Sequence, residues 1–149
     1  MSLTFRPATR EEVADVIALL QDDVLGAARE GLDLAEYEAA FDRMYQEAAN
    51  HLIVGLQAGR IVATYQLTFI SGLSLRAARR AQIESVRVAS DQRGQGIGQA
   101  MIEDAVTRAK DAGCSLIQLT MNKSRTDSAR FYEGLGFTPS HIGYKRSLI

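Results

Sequence analysis

Hydrophobic positions change period several times along this chain, and each change predicts an element. Leu3 and Phe5 suggest a short first strand, after which Val13, Val16, Ile17, Leu20 and Val24 recur at helical spacing. Thr9, with Glu12 three residues on, is a capping-box signature for the start of that helix. Asp33 and Glu36 repeat the signal ahead of an apolar stripe of Leu34, Tyr37, Phe41, Met44, Tyr45 and Ala48, and residues 26–31 separate the two helices. His51 to Gln57 and Ile61 to Phe69 alternate with period two around Ala58-Gly59, the pattern of a β-hairpin. Residues 72–80 read as a loop. Gln82 to Val88 then predicts a strand that runs into a glycine-rich turn and a helix with Met101, Ile102, Ala105, Val106 and Ala109 inward. Gly113 ends that helix, and Leu116 to Met121 gives another strand. Ser128 to Leu135 gives a short helix closed by Gly136, with Phe137 placed for the apolar contact of such a cap. Ser140 to Leu148 reads as a last strand.

This order, a strand, two helices, a hairpin, then strand-helix-strand-helix-strand, predicts an α/β (α+β) fold with a mixed sheet flanked by helices. The 149 residues suit one domain, 1–149, with a single sizeable core. Lys and Arg total 17 against 18 Asp and Glu, so the basic excess that attracts nucleic acid is missing. One cysteine, Cys114, excludes an intrachain disulfide and reads as a small buried thiol. No apolar run reaches the roughly 20 residues that span a bilayer, and the N-terminus lacks a signal-peptide pattern, so the expectation is a cytoplasmic protein without a membrane partner. His51 and His141 stand apart from any Cys, His or carboxylate spacing typical of zinc, and no metal site is expected.

Chemistry concentrates in Arg93-Gly94-Gln95-Gly96-Ile97-Gly98. Glycines at alternate positions between a strand and a helix let bare backbone approach a ligand, and unpaired amides at the helix start favour an anion, with Arg93 adding a full charge. A Walker loop would end in Gly-Lys-Ser/Thr, whereas Gly98 is followed by Gln99-Ala100. A dinucleotide fingerprint would need a glycine where Gln99 stands and an acidic residue in the next strand, which reads Leu116-Ile117-Gln118-Leu119.

The hexapeptide instead resembles the coenzyme A loop of the GNAT acyltransferases, Gln/Arg-x-x-Gly-x-Gly/Ala. Ile83-Glu84-Ser85-Val86-Arg87-Val88 is similar to that family's fourth strand, and Ala129 to Phe137 resembles its closing Tyr-x-x-x-Gly-Phe helix motif. The resemblance implies a mostly antiparallel sheet whose fourth and fifth strands splay apart, and an N-acetyltransferase moving acetyl from acetyl-CoA to a primary amine by direct attack. It places the cofactor against the backbone of Val86, Arg87 and Val88 and of Arg93, Gly94, Gln95, Gly96, Ile97 and Gly98. Where many members have asparagine, seven residues before the motif tyrosine, this chain has Arg125. Asn122, three residues earlier, is carried as the alternative cofactor contact.

Tyr132 matches the family tyrosine that returns a proton to the departing thiolate, and Glu84 matches the strand glutamate that takes the proton of the amine. In an apolar strand Glu84 would share a face with Val86 and Val88 and have a raised pKa, or pair with Arg87 or Arg80 as structural support. Arg76, Arg79 and Arg80 read as a solvated basic loop or a contact for an acidic group. Asp22, Asp23, Glu30 and Asp33 flank the helix break that walls the acceptor site in the family. The acceptor is expected to be a small-molecule amine. A peptide amine and a non-catalytic acyl-CoA-binding module are the alternatives, and a homodimer stays open.

Overall fold

The computed structural model describes residues 2–22, 30–31 and 33–149, so Asp23, Val24 and most of the expected helix break lie outside the described residues. The elements are β1 (Leu3–Pro7), a 3₁₀ turn (Arg10–Glu12), α1 (Val13–Gln21), α2 (Leu34–Gln46), β2 (Asn50–Gln57), β3 (Arg60–Ser71), β4 (Arg79–Val88), α3 (Ile97–Asp111), β5 (Leu116–Leu119) and α4 (Thr126–Gly134). Among the described residues the strands form one sheet in the order β1-β2-β3-β4-β5. The first three pairings are antiparallel and β4-β5 is parallel, which makes the sheet mixed and mostly antiparallel as expected.

Local chemistry explains most boundaries. Both capping boxes form, Thr9 with Glu12 and Asp33 with Glu36, so the backbone donors at these helix starts are satisfied. Ala58 and Gly59 both have positive φ, 52° and 77°, as a tight turn matched to strand twist requires. Gly55 is needed for space, because a Cβ there would lie 2.7 Å from the Phe5 ring of the neighbouring strand. Val62 to Tyr65 are buried consecutively, the mark of a central strand covered on both faces, and α1 and α3 both pack on β3 and β4.

The core gathers Ile53, Ala63, Leu67, Ala81 and Ile83 from the sheet with Ile97, Met101, Ile102, Ala105 and Ala109 from α3. A polar network pins that helix to the sheet: Tyr65 Oη donates to Asp104, Arg108 Nε donates to the same carboxylate at 2.8 Å, and Arg108 Nη2 donates to the Phe5 carbonyl. Burial and the bond to Asp104 push the Tyr65 phenol well above its ordinary range.

Several expectations need correction. β4 begins at Arg79, so two of the three arginines assigned to a loop are strand residues: Arg79 donates to the Ala112 carbonyl at 2.6 Å and covers the Phe69 ring, and Arg80 pairs with Leu116. Only Arg76 lies in the connecting turn, where Leu75, Arg76 and Ala77 adopt left-handed φ. The stripe of α2 is poorly covered, with Leu34 and Tyr45 47% and 82% exposed, and Ala48 lies beyond the helix. The expected last strand is absent. Residues 138–149 are all exposed, and among the described residues no strand pairs with them, although their apolar positions still alternate.

Candidate active site

The sheet opens where β4 leaves β5. Parallel pairing runs from Arg80↔Leu116 to Ile83↔Leu119 and stops, while β4 continues to Val88. Over residues 84–88 its edge therefore has no neighbouring strand on that side among the described residues. A β-bulge marks the same point: Gln66 pairs with Glu84 and Thr64 with Arg87, so Ser85 and Val86 together oppose Tyr65. Ser85 carries φ 55°, a left-handed conformation that costs an L-residue about 1 kcal/mol, held in place by well-formed pairing on either side.

The bulge overturns one expectation about Glu84. Ala81 and Ile83 are the core-facing residues before it, and Val86 and Val88 are the core-packed residues after it, because the extra residue shifts the alternation by one. Glu84 therefore does not share a face with Val86 and Val88. Its side chain is exposed, and among the described residues it makes no ion pair with Arg80 or Arg87. The carboxylate stands open to water at the strand bend, outside any apolar pocket.

The loop after β4 is shaped by two different demands on glycine. Gly94 and Gly96 have φ 79° and 80°, and Gly96 is the N-cap of α3. A Cβ on either would meet nothing within 4 Å, so their ligand side is open backbone. Gly98 lies inside the helix, and there a Cβ would come within 3.2 Å of the Phe131 ring; this glycine admits α4. The first intrahelical bond runs from the Ala100 amide to the Gly96 carbonyl, which leaves the amides of Ile97, Gly98 and Gln99 without an intrahelical acceptor. Ile97 itself is buried in the core, while Gln95 and Arg93 are exposed.

Two braces hold this loop. Asp22 Oδ2 accepts the Ser90 amide at 2.9 Å, its Oδ1 accepts the Ser90 hydroxyl, and Arg93 Nη2 donates to the Asp22 carbonyl. The bonds from Ser90, with Arg93 nearby, hold the Asp22 carboxyl below its usual range. Arg60 forms a two-point pair with Asp91 at 2.8 and 3.0 Å, tying the loop to the β2-β3 turn. Asp22 is thus a loop anchor. Asp33 caps α2, and Glu30 accepts the Tyr37 hydroxyl, so neither is disposed chiefly to attract a cationic acceptor.

Tyr132 comes from α4, whose end is fixed by Phe137 N–H donating to the Tyr132 carbonyl and by Gly136 at φ 92°. Its ring is half-buried, edge-on to Phe131 and Phe137. Burial raises its pKa, an effect partly offset by Arg125 and Arg87, and its hydroxyl bonds no protein group among the described residues. Asn122 uses its Oδ1 to accept the Ser124 amide at 3.0 Å and hydroxyl at 2.7 Å, so it shapes the turn ahead of α4. Arg125 is the N-cap residue of that helix. Cys114 packs partly buried against the core. No group of three or more His, Cys, Asp or Glu side chains placed to hold a metal occurs among the described residues, and none of their helices is long and apolar enough to cross a membrane.

The model of the Acetyltransferase (GNAT) family matches residues 16–137, spanning the bulged strand, the glycine loop and the Tyr132 helix. The chain belongs to the GNAT family. It is 28% identical over 143 residues to the aminoalkylphosphonate N-acetyltransferase of Salmonella typhimurium, covering 96% of this chain and 90% of that one. It is 42% identical to a Bacillus halodurans protein whose crystal structure is described as a transcriptional regulator, with a TM-score of 0.94 over 99% of this chain and all of the other. A structure from Clostridium acetobutylicum, described as a predicted acetyltransferase with acetyl-CoA, shares the fold at 18% identity and TM-score 0.77, covering 99% and 97% of the two chains. Spacing pointed to the glycine loop and the family resemblance to Tyr132, whereas the bulge at Ser85 and the Asp22 anchor had no counterpart in the sequence reading. A β-bulge has no composition signal, and an anchor 68 residues from its partner has no local one.

Proposed function

We propose that this GNAT protein is an N-acetyltransferase that moves acetyl from acetyl-CoA to the primary amine of a small molecule by direct attack in a ternary complex. The observation that carries the reading is the coincidence of three features: the unpaired β4 edge, the open left-handed glycines with orphan amides behind them, and the half-buried Tyr132 on α4, close enough to Arg87 of β4 to feel its charge. This site fits the group, since orphan amides at a helix start and the exposed Arg93 suit a pyrophosphate, and a bare strand edge suits an amide-rich arm. Acetyl-CoA brings an acyl thioester activated toward amines.

The chain supplies the rest. Backbone amides from Val86 to Val88 orient the acyl group and polarise its carbonyl. Tyr132 keeps its proton at neutral pH, because burial disfavours the phenolate, and holds it on Oη for the departing sulfur. Glu84 takes the amine proton, directly or through a water, from its open position at the bend. The relative that acetylates aminoalkylphosphonates makes small amines with an anionic group the first acceptors to try, and Arg125 and Arg87 supply positive charge beside Tyr132.

A panel of such amines with acetyl-CoA tests the reading, and no turnover with any would count against it. Glu84→Gln sharpens the test: a base predicts normal folding and cofactor binding, with the rise of kcat/KM displaced to higher pH, where more amine is already neutral. A purely structural role predicts an unchanged pH profile. The regulator description of the Bacillus halodurans structure favours a second reading, a module that binds acyl-CoA without turnover, and acetyl-CoA binding with no acetylation of any amine would support it.

A further inference from the structure

One face of the sheet beside Glu84 is built from side-chain amides. In the pairing of β3, β4 and β5, Gln66 stands opposite Glu84, Thr68 opposite Gln82, and Gln82 opposite Gln118. Residues paired across strands share a face, so these five side chains lie on one side of the sheet. The residues that alternate with them, Leu67, Ala81, Ile83 and Ile117, belong to the core on the other side. Gln66, Thr68 and Gln82 are half-buried, and Glu84 and Gln118 are exposed. Arg80 comes next along β4 on this face, but its guanidinium reaches back toward Gly72, where a Cβ would lie 3.6 Å from it. Glu84 is the charge that stands among the amides.

The amides order one another. Gln118 Nε2 donates to Gln82 Oε1 at 2.8 Å, and Gln66 Nε2 donates to Asn50 Oδ1 at 2.9 Å. Each bond engages one end of each glutamine, so the Gln82 NH2 group and the Gln118 and Gln66 carbonyls keep no partner among the described residues. Fixing a glutamine side chain costs conformational entropy, and near water an amide–amide bond offsets that poorly, because water competes for both groups. A preset surface with a free donor beside free acceptors suits a hydroxyl, which donates and accepts at once, better than an anion, which only accepts.

On the reading of Glu84 as the group that takes the amine proton, we propose that Gln82 and Gln118 select the acceptor, a primary amine that carries a hydroxyl group on a carbon close to its nitrogen. The ammonium lies at Glu84 and the hydroxyl on the open ends of the two glutamines. Side chains two positions apart on a strand stand about 7 Å from one another, so an amine and a hydroxyl on neighbouring carbons fit between them with a hydrogen bond of about 3 Å at each end. An alkylamine of the same shape leaves the amides unpaired as it displaces their water, and is the poorer acceptor.

Serinol and isopropylamine share one carbon skeleton and differ in their hydroxyls, so they are the probes. With saturating acetyl-CoA, the ratio of their kcat/KM values should fall about tenfold in Gln82→Leu and in Gln118→Leu, the effect of one lost hydrogen-bonded contact. A ratio that neither substitution changes overturns the proposal, as does a preference for the anionic aminoethylphosphonate over serinol that both substitutions leave intact. A second measurement needs neither variant nor turnover. In the full wild-type chain with coenzyme A, serinol should shift the side-chain amide NMR signals of Gln82 and Gln118, and isopropylamine should not. Signals that stay in place with serinol overturn the proposal. Signals that shift while no amine is acetylated uphold the amide site and count against the transfer reading instead.

Discussion

Residues 50–109 and residues 110–149 are built under different conditions. The first stretch supplies most of the buried side chains, with Val54, Ala63, Tyr65, Leu67, Ala81, Met101 and Ala105 all at 0% exposure. In the second, no residue is fully buried, although Leu119, Tyr132, Leu135 and Phe137 lean on the core and Ile142, Tyr144 and Leu148 carry a strand pattern. The second stretch is the less apolar and holds no valine, and its neighbours differ too: β3 lies between strands and beneath helices, whereas β5 is the edge of the sheet among the described residues and the tail passes Thr120 at its end. The candidate site sits on that boundary. Its loop and β4 belong to the closely packed part and its tyrosine to the looser one.

The sharpest way to break this comparison is to delete matched volume from each part. Leu67→Ala should lower stability by about 3 kcal/mol, the usual cost of a cavity in a well-packed core. Leu135→Ala should cost about 1 kcal/mol, since water reaches part of that site already. Equal losses in denaturant melts would mean that the C-terminal part is as tightly packed as the sheet.

The acid limb of stability probes a third part, the joint between β1 and the first helical turn, which lies outside both stretches. The two-point bond from Arg6, reinforced by the Thr9 amide, lowers the Glu12 carboxyl from 4.5 to about 2. A carboxyl depressed by folding stabilises the native state fully above its unfolded value and loses that contribution as pH falls toward the folded one. Wild type should therefore lose stability relative to Glu12→Gln as pH falls from 5 to 2, by about 1 kcal/mol, the scale at which water around Arg6 holds such an exposed pair. Melts of both proteins across that range check it, and parallel curves would remove the pair from the account.

Comparable effects separate the loop glycines. Gly96→Ala must place a Cβ on left-handed backbone and should cost about 1 to 2 kcal/mol. Gly98→Ala gains helix propensity and asks only that the Phe131 ring move a few tenths of an ångström, so its net effect should stay within about 0.5 kcal/mol. Equal costs would mean that both glycines answer the same demand.

Legibility followed the same division. Period-two and period-3.6 patterns located β2, β3 and α3, where each apolar residue finds its partner inside the chain, and capping residues fixed the starts of the helices. The loop was legible because Gly94 and Gly96 are required by the conformation of their own backbone. Glu84 was misplaced by a single unseen residue of bulge, which reversed the alternation on which its orientation depended. Asp22 looked like a substrate-facing acid because its partner, Ser90, is distant in sequence. The tail was read correctly as a strand pattern and wrongly as a strand, since a pattern states what a segment needs and not whether its own molecule provides it.

The central claim, acetyl transfer with Tyr132 holding the proton for the leaving sulfur, is tested most directly by comparing wild type with Tyr132→Phe. Acetyl-CoA affinity and the turnover of a responsive amine are measured side by side. The account predicts unchanged affinity and turnover lower by roughly 10- to 1,000-fold, the range expected when a positioned general acid is replaced by water. Wild-type turnover from Tyr132→Phe would contradict it.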